Sequence, residues 1–137
     1  MTPELQFCLN LNKTSCNITK KLEASLSPHG ISFTEFMILH ELQHSPNQCL
    51  RRIDLADKIG LSPSGVTRLL SPMEKIGLVS KEPNERDARV SLVKLSHAGE
   101  RIYTESHNSC NERALALVAK LKNKELRAGQ DLLAALR

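Results

Sequence analysis

Between Leu50 and Leu95 the apolar positions recur at helical spacing, break at glycines, and then crowd into two short β-branched runs. Ile53, Leu55, Ala56 and Ile59 predict the apolar stripe of one short helix, with Asp54, Asp57 and Lys58 on its wet side and Gly60 at its left-handed end. Ser62 then offers a side-chain oxygen to the free amides of a new helix. Pro63 fits the first helical position, where its missing N–H costs nothing. From there Val66, Leu69, Leu70, Met73 and Ile76 recur toward a core and Gly77 closes the segment, leaving Ser64, Gly65, Thr67 and Arg68 facing outward. The runs Leu78 to Glu82 and Val90 to Leu95 predict two strands, joined by the charged tip Pro83-Asn84-Glu85-Arg86-Asp87-Ala88-Arg89.

The flanks are helical. Leu5, Cys8, Leu9, Cys16, Ile18, Leu22 and Leu26 make a stripe that Ser27-Pro28-His29-Gly30 ends. Ser32 with Glu35 makes a capping box for a second helix, whose buried face is Phe33, Phe36, Leu39 and Leu42 and whose stop is Ser45-Pro46-Asn47. Past Ser96, a further N-cap candidate, a long pattern runs to about Leu121. A shorter one from Asn123 to Leu136 carries Leu126, Leu132, Leu133 and Leu136. The expected fold class is mainly α with a small β-wing: one domain over 1–137, with a winged helix-turn-helix over 31–95 and dimerisation helices over 1–30 and 96–137. No internal repeat or low-complexity segment is apparent.

A helix-turn-helix followed by a hairpin has a definite physical use, since one helix enters the DNA major groove while the hairpin reaches the neighbouring backbone or minor groove. Small side chains and hydroxyls near the N-terminus of the second helix suit close approach to phosphate, and Arg68 is the candidate base reader. The same residues also suit an ordinary solvated helix face. In the hairpin tip, Asp87 can hold one arginine in a fixed pose by a charge-assisted hydrogen bond while the other probes DNA.

The stretch Leu50-Arg-Arg-Ile-Asp-Leu-Ala-Asp-Lys-Ile-Gly-Leu-Ser-Pro-Ser-Gly-Val-Thr-Arg-Leu-Leu, followed by Met73-Glu-Lys-Ile-Gly-Leu-Val, Asn84-Glu-Arg-Asp-Ala-Arg and Leu95-Ser-His-Ala-Gly99, resembles the MarR family of bacterial winged-helix transcriptional regulators. The motifs cover about Gly30 to Tyr103. The resemblance implies DNA contacts from Ser62, Ser64, Gly65, Thr67, Arg68, Arg86, Asp87 and Arg89, and Lys81 on the first strand of the hairpin is a further DNA-binding candidate. It also implies long flanking helices that dimerise, a double-stranded pseudo-palindromic operator, and a repressor released by a small-molecule effector. A two-fold dimer would present two reading heads about one DNA turn, ~34 Å, apart. Pro72 departs from the family pattern, and a kink is expected there.

Charge agrees with this picture. The net charge is +4, and residues 50–95 hold nine Lys or Arg against six Asp or Glu, so the basic excess lies where DNA would lie. At 137 residues the chain can bury roughly two-thirds of its unfolded surface in one domain. No apolar run approaches a membrane span and Met1-Thr2-Pro3-Glu4 opens no signal-peptide pattern, so a soluble, cytoplasmic protein without a cofactor is expected.

Two motifs point to other chemistry. His40-Glu41-Leu42-Gln43-His44 is a literal H-E-x-x-H, the spacing of a zinc hydrolase with the Glu as general base, but no motif for a third ligand follows. Protonated histidines near a helix C-terminus are the plain alternative. Through the family resemblance, His40 or His44 with His107 and Cys110 is a candidate zinc-sensing set. Cys8 is a candidate redox sensor, similar in placement to the organic-hydroperoxide-sensing branch, although Leu22 and Phe33 stand where that branch has tyrosines. Cys8 and Cys16 lie ~12 Å apart along one helix, beyond disulfide reach.

Overall fold

The computed structural model describes residues 1–137. In chain order the elements are α1 (Pro3–Leu26), α2 (Phe33–Gln43), β1 (Cys49–Arg51), α3 (Arg52–Ile59), α4 (Pro63–Lys75), β2 (Val79–Pro83), β3 (Ser91–Leu95), α5 (His97–Leu117) and α6 (Asn123–Ala135). Local chemistry accounts for most boundaries. The Ser32 hydroxyl accepts from the Glu35 amide at 3.1 Å while the Glu35 carboxylate accepts from the Ser32 amide at 2.8 Å, which is the expected capping box. Gly60 ends α3 at φ +72°, a left-handed conformation that a β-carbon disfavours. Ser62 caps α4 by accepting from Gly65 N at 3.1 Å.

One core unites these pieces. Ile38, Leu39 and Leu42 of α2 meet Leu55 and Ala56 of α3, Val66, Leu70 and Met73 of α4, and Val93 and Leu95 of β3. The sheet order is β1-β3-β2, all antiparallel, with Leu50 opposite Val93 and Val79 opposite Leu95. Strand β1 was not expected. Three residues show no alternation, and they become a strand only because β3 lies beside them. Asn47 and Gln48 lead into it with φ of 57° and 56°, an uncommon left-handed pair without glycine.

Other expectations need correcting. Ile76 is 63% exposed: it caps the end of α4, where the backbone leaves helical geometry, and Leu78 enters the core beyond it. Ile53 is 53% exposed, since Leu55, Ala56 and Ile59 already supply the inward face of α3. Helix α5 stops at Leu117, because residues 118–121 turn back with Leu121 N donating to Val118 O at 2.9 Å. Pro72 lies within the continuous span of α4, in its last turns, so the one hydrogen bond it forfeits does not end the helix.

The winged region joins the flanking helices through close contacts. The Ser96 hydroxyl donates to Gly77 O and accepts from Gly99 N at 3.0 Å, anchoring α5 to the end of α4. A β-carbon on Gly99 would lie 2.2 Å from Leu78 O, so only glycine permits this approach. On the other side Glu23 of α1 accepts from Phe33 N at 2.8 Å, capping α2 from a neighbouring helix. Beyond that point α1 is largely uncovered, Leu26 being its one fully buried residue, and α6 buries none. No helix is long and apolar enough to cross a membrane.

Candidate nucleic-acid interface

Helix α4 presents its first two turns to solvent. Ser62, Ser64, Thr67 and Arg68 are exposed and Gly65 is half-buried, while Val66 and Leu70 turn inward. Ser62 and Ser64 hydroxyls lie 3.2 Å apart, and Thr67 donates to Pro63 O at 3.1 Å. No acidic residue occupies the first turn, so the positive end of the helix dipole is unopposed. A β-carbon at Gly65 would stand 3.2 Å from the Ser62 hydroxyl oxygen and press on the cap.

The wing brings a second group of residues to the surface. Lys81 is exposed on β2 opposite Val93. In the tip, Asn84 accepts from the Arg86 amide at 3.0 Å, and Asp87 accepts from the Arg89 amide at 3.0 Å and from its Nε at 3.2 Å. Asp87 thus both folds the turn and holds Arg89, whose side chain is 91% exposed. Arg86 makes no ion pair.

Several cations of this region are already engaged. Arg51 makes two bonds to Asp54, at 2.8 and 3.0 Å, and this hydrogen bonding holds the Asp54 carboxyl below its ordinary value. Arg52 reaches Thr67 and Glu74, each at 3.4 Å. Arg51, Arg52 and Arg89 are thus paired with acids, while Arg68, Lys81 and Arg86, together with Lys58, Lys75 and Lys94, remain without an acidic partner. No local sequence pattern marks Arg52, because its partners are 15 and 22 positions away.

The histidine motif lies elsewhere, between α2 and α5. Tyr103 is buried and its hydroxyl sits 2.7 Å from His40 Nδ1. His44 donates from Nδ1 to His40 O at 2.9 Å, and its ring centroid is 4.4 Å from that of His40. His107 lies 5.6 Å from the Tyr103 ring. Burial, with His44 nearby, pushes the His40 pKa below its ordinary value, and burial raises Tyr103 and Cys110. Although three imidazoles gather here, no three His, Cys, Asp or Glu side chains are placed to hold a metal ion. Cys8 and Cys16 are exposed on α1, Cys49 is half-buried and Cys110 buried, all as free thiols.

Residues 31–91 match the model of the MarR family. These residues form a MarR-family domain. Among curated relatives it is 34% identical over 110 residues to the HTH-type transcriptional regulator YdgJ of Bacillus subtilis, covering 79% of this chain and 65% of that protein. The chain spans 55% to 65% of the length of the curated relatives it matches. Its MarR-type winged fold superposes on a mutant MarR from Escherichia coli solved with operator DNA, at a TM-score of 0.88 and 23% identity, covering 96% of this chain and 93% of that one. NadR, solved with 4-hydroxyphenylacetate, matches at a TM-score of 0.80 and 26% identity over 93% of this chain and 89% of its own.

Proposed function

We propose that this chain is a sequence-specific, DNA-binding transcriptional regulator that acts as a homodimeric repressor of a pseudo-palindromic operator. The observation that carries the reading is the exposed, acid-free opening of α4, where Ser62, Ser64, Thr67 and Arg68 share one surface. Hydroxyls and free helix amides suit phosphate, and Arg68 suits a guanine edge. The wing supplies Lys81, Arg86 and Arg89, with Asp87 setting the pose of Arg89. Curated relatives named as HTH-type transcriptional regulators support the same conclusion.

Dimerisation is proposed from the ends of the chain. Leu5, Phe7 and Leu9 on α1 and Leu126, Leu132, Leu133 and Leu136 on or just after α6 are exposed in one chain, an apolar surface that a second copy would cover. Release by a small-molecule effector is proposed in turn. A cleft of about 220 Å³ between α2 and α5 is lined by Gln43, His44, Tyr103, Thr104, His107 and Asn108, and NadR has been solved with a small aromatic acid. An effector that prefers a head spacing unfit for DNA lowers operator affinity by its differential binding energy.

The test is selection from a randomised duplex pool, followed by salt-titrated binding to the selected sequence. The expected result is a palindromic site and an affinity that falls steeply with salt. Retention of no sequence, even at low salt, overturns the proposal.

A further inference from the structure

Arg52 is the first residue of α3, yet its side chain turns inward across the face of α4 rather than out to solvent. The side chain is 27% exposed. One terminal nitrogen donates to the Thr67 hydroxyl and the other to the Glu74 carboxylate, each at 3.4 Å. Nε is buried and has no hydrogen-bond partner. A buried donor left unpaired is unfavourable, so this placement does not maximise hydrogen bonding at Arg52 itself. What the placement does achieve is a bridge to two points on one helix.

Thr67 and Glu74 are seven residues apart, close to two helical turns, and so stand one above the other ~10.5 Å apart along α4. Val66, Leu70 and Met73 fix how deeply α4 sits, but apolar contacts are non-directional and tolerate a roll about the helix axis. A planar guanidinium bound at both ends is directional, and lysine cannot reproduce its fork. The Thr67 end of the bridge adjoins Arg68, the candidate base reader.

We infer that Arg52 is a positioning residue of the DNA interface, one that fixes the roll of α4 and hence the aim of Thr67 and Arg68. This rests on the DNA-binding reading above. Glu74 anchors the far end, and Arg52 itself touches no phosphate.

The experiment compares the full-length wild type with Arg52→Lys, Arg52→Gln and Glu74→Ala. Each is put through selection from a randomised duplex pool and then salt-titrated binding to the wild-type site, with thermal unfolding checked alongside. Arg52→Lys and Glu74→Ala are both expected to flatten base preference beneath α4 by about tenfold with the salt slope unchanged, since no phosphate contact is lost. The Glu74→Ala result is the telling one, because that side chain lies two turns beyond the reading surface. A salt slope lowered by about one unit in Arg52→Gln would mean that Arg52 binds phosphate, and would overturn the inference. Lowered stability with an intact base preference would reduce the bridge to a structural contact and overturn it equally. A wild type that selects no sequence removes the DNA reading and this inference together, whereas a selective wild type with unaltered variants removes the inference alone.

Discussion

The Tyr103 hydroxyl lies 2.7 Å from Nδ1 of His40, and this one hydrogen bond ties α5 to α2 at the level where Phe36 stacks on the tyrosine ring. Neutral His40 can accept the tyrosine proton, whereas a protonated ring cannot.

A pH dependence follows. The folded pKa of His40 lies below its ordinary value of 6.5, chiefly through burial, so the unfolded chain binds more protons as pH falls. The stability that neutral His40 contributes is therefore fully present above pH 6.5 and is lost as pH drops through the lower folded value. Thermal unfolding between pH 7.5 and 5, with His40→Gln as the control, should show a decline that the variant flattens. Parallel curves for the two proteins would exclude His40 as the source.

Arg68→Ala should relax base preference, costing about 1–3 kcal/mol of discrimination at one position. Arg89→Ala should instead weaken binding to most sequences and lower the salt slope by about one unit. Asp87→Ala, which frees Arg89 and dissolves the turn at the tip, should reduce affinity although it removes a negative charge. Salt-titrated binding of the three variants separates these effects. A gain in affinity for Asp87→Ala would show that net charge outweighs pose.

Two glycines should respond differently to alanine. At Gly99 the new carbon meets Leu78 O at 2.2 Å and Leu95 Cδ1 at 2.8 Å, so the α5–wing junction must open. A loss of about 1–3 kcal/mol in urea unfolding is expected. At Gly65 the nearest atom is the Ser62 hydroxyl at 3.2 Å, and the gain in helix propensity, about 1 kcal/mol, offsets pressure on the cap. Stability should change little there. Comparable losses at both sites would contradict this account of the junction.

Leu133→Asp should move the chain from dimer to monomer, because it places a charge in the surface that the second copy is proposed to cover. Sedimentation velocity reads the change directly. A wild type that sediments as a monomer at high concentration would remove the dimer from the proposal.

The features legible in the sequence are those written over a few residues. Ser32 with Glu35, Ser62 with Pro63, and Gly60 carry their own conformational reasons, and all three form as expected. Strand β1 was hidden because its pairing with β3 is the whole of its cause. Ile76 and Ile53 misled because apolar spacing reports which face could be buried, not where the core ends. The pairing of Asp87 with one of two arginines was foreseeable, but which arginine depended on a turn only the fold could set. Arg52 gave no signal, since its meaning lies in residues 15 and 22 positions away.

Helix α1 is held at one end: Leu26 is buried, Glu23 caps α2, and the first turns are exposed. Mechanically it is a lever with its fulcrum at the C-terminus. Its 24 residues span ~36 Å, so a tilt of about 5° about Leu26 carries Pro3 roughly 3 Å. The same tilt shifts Glu23, three residues from the pivot, by only ~0.4 Å, so the cap on Phe33, at the start of the helix that carries His40, is insulated from motion at the far end of α1.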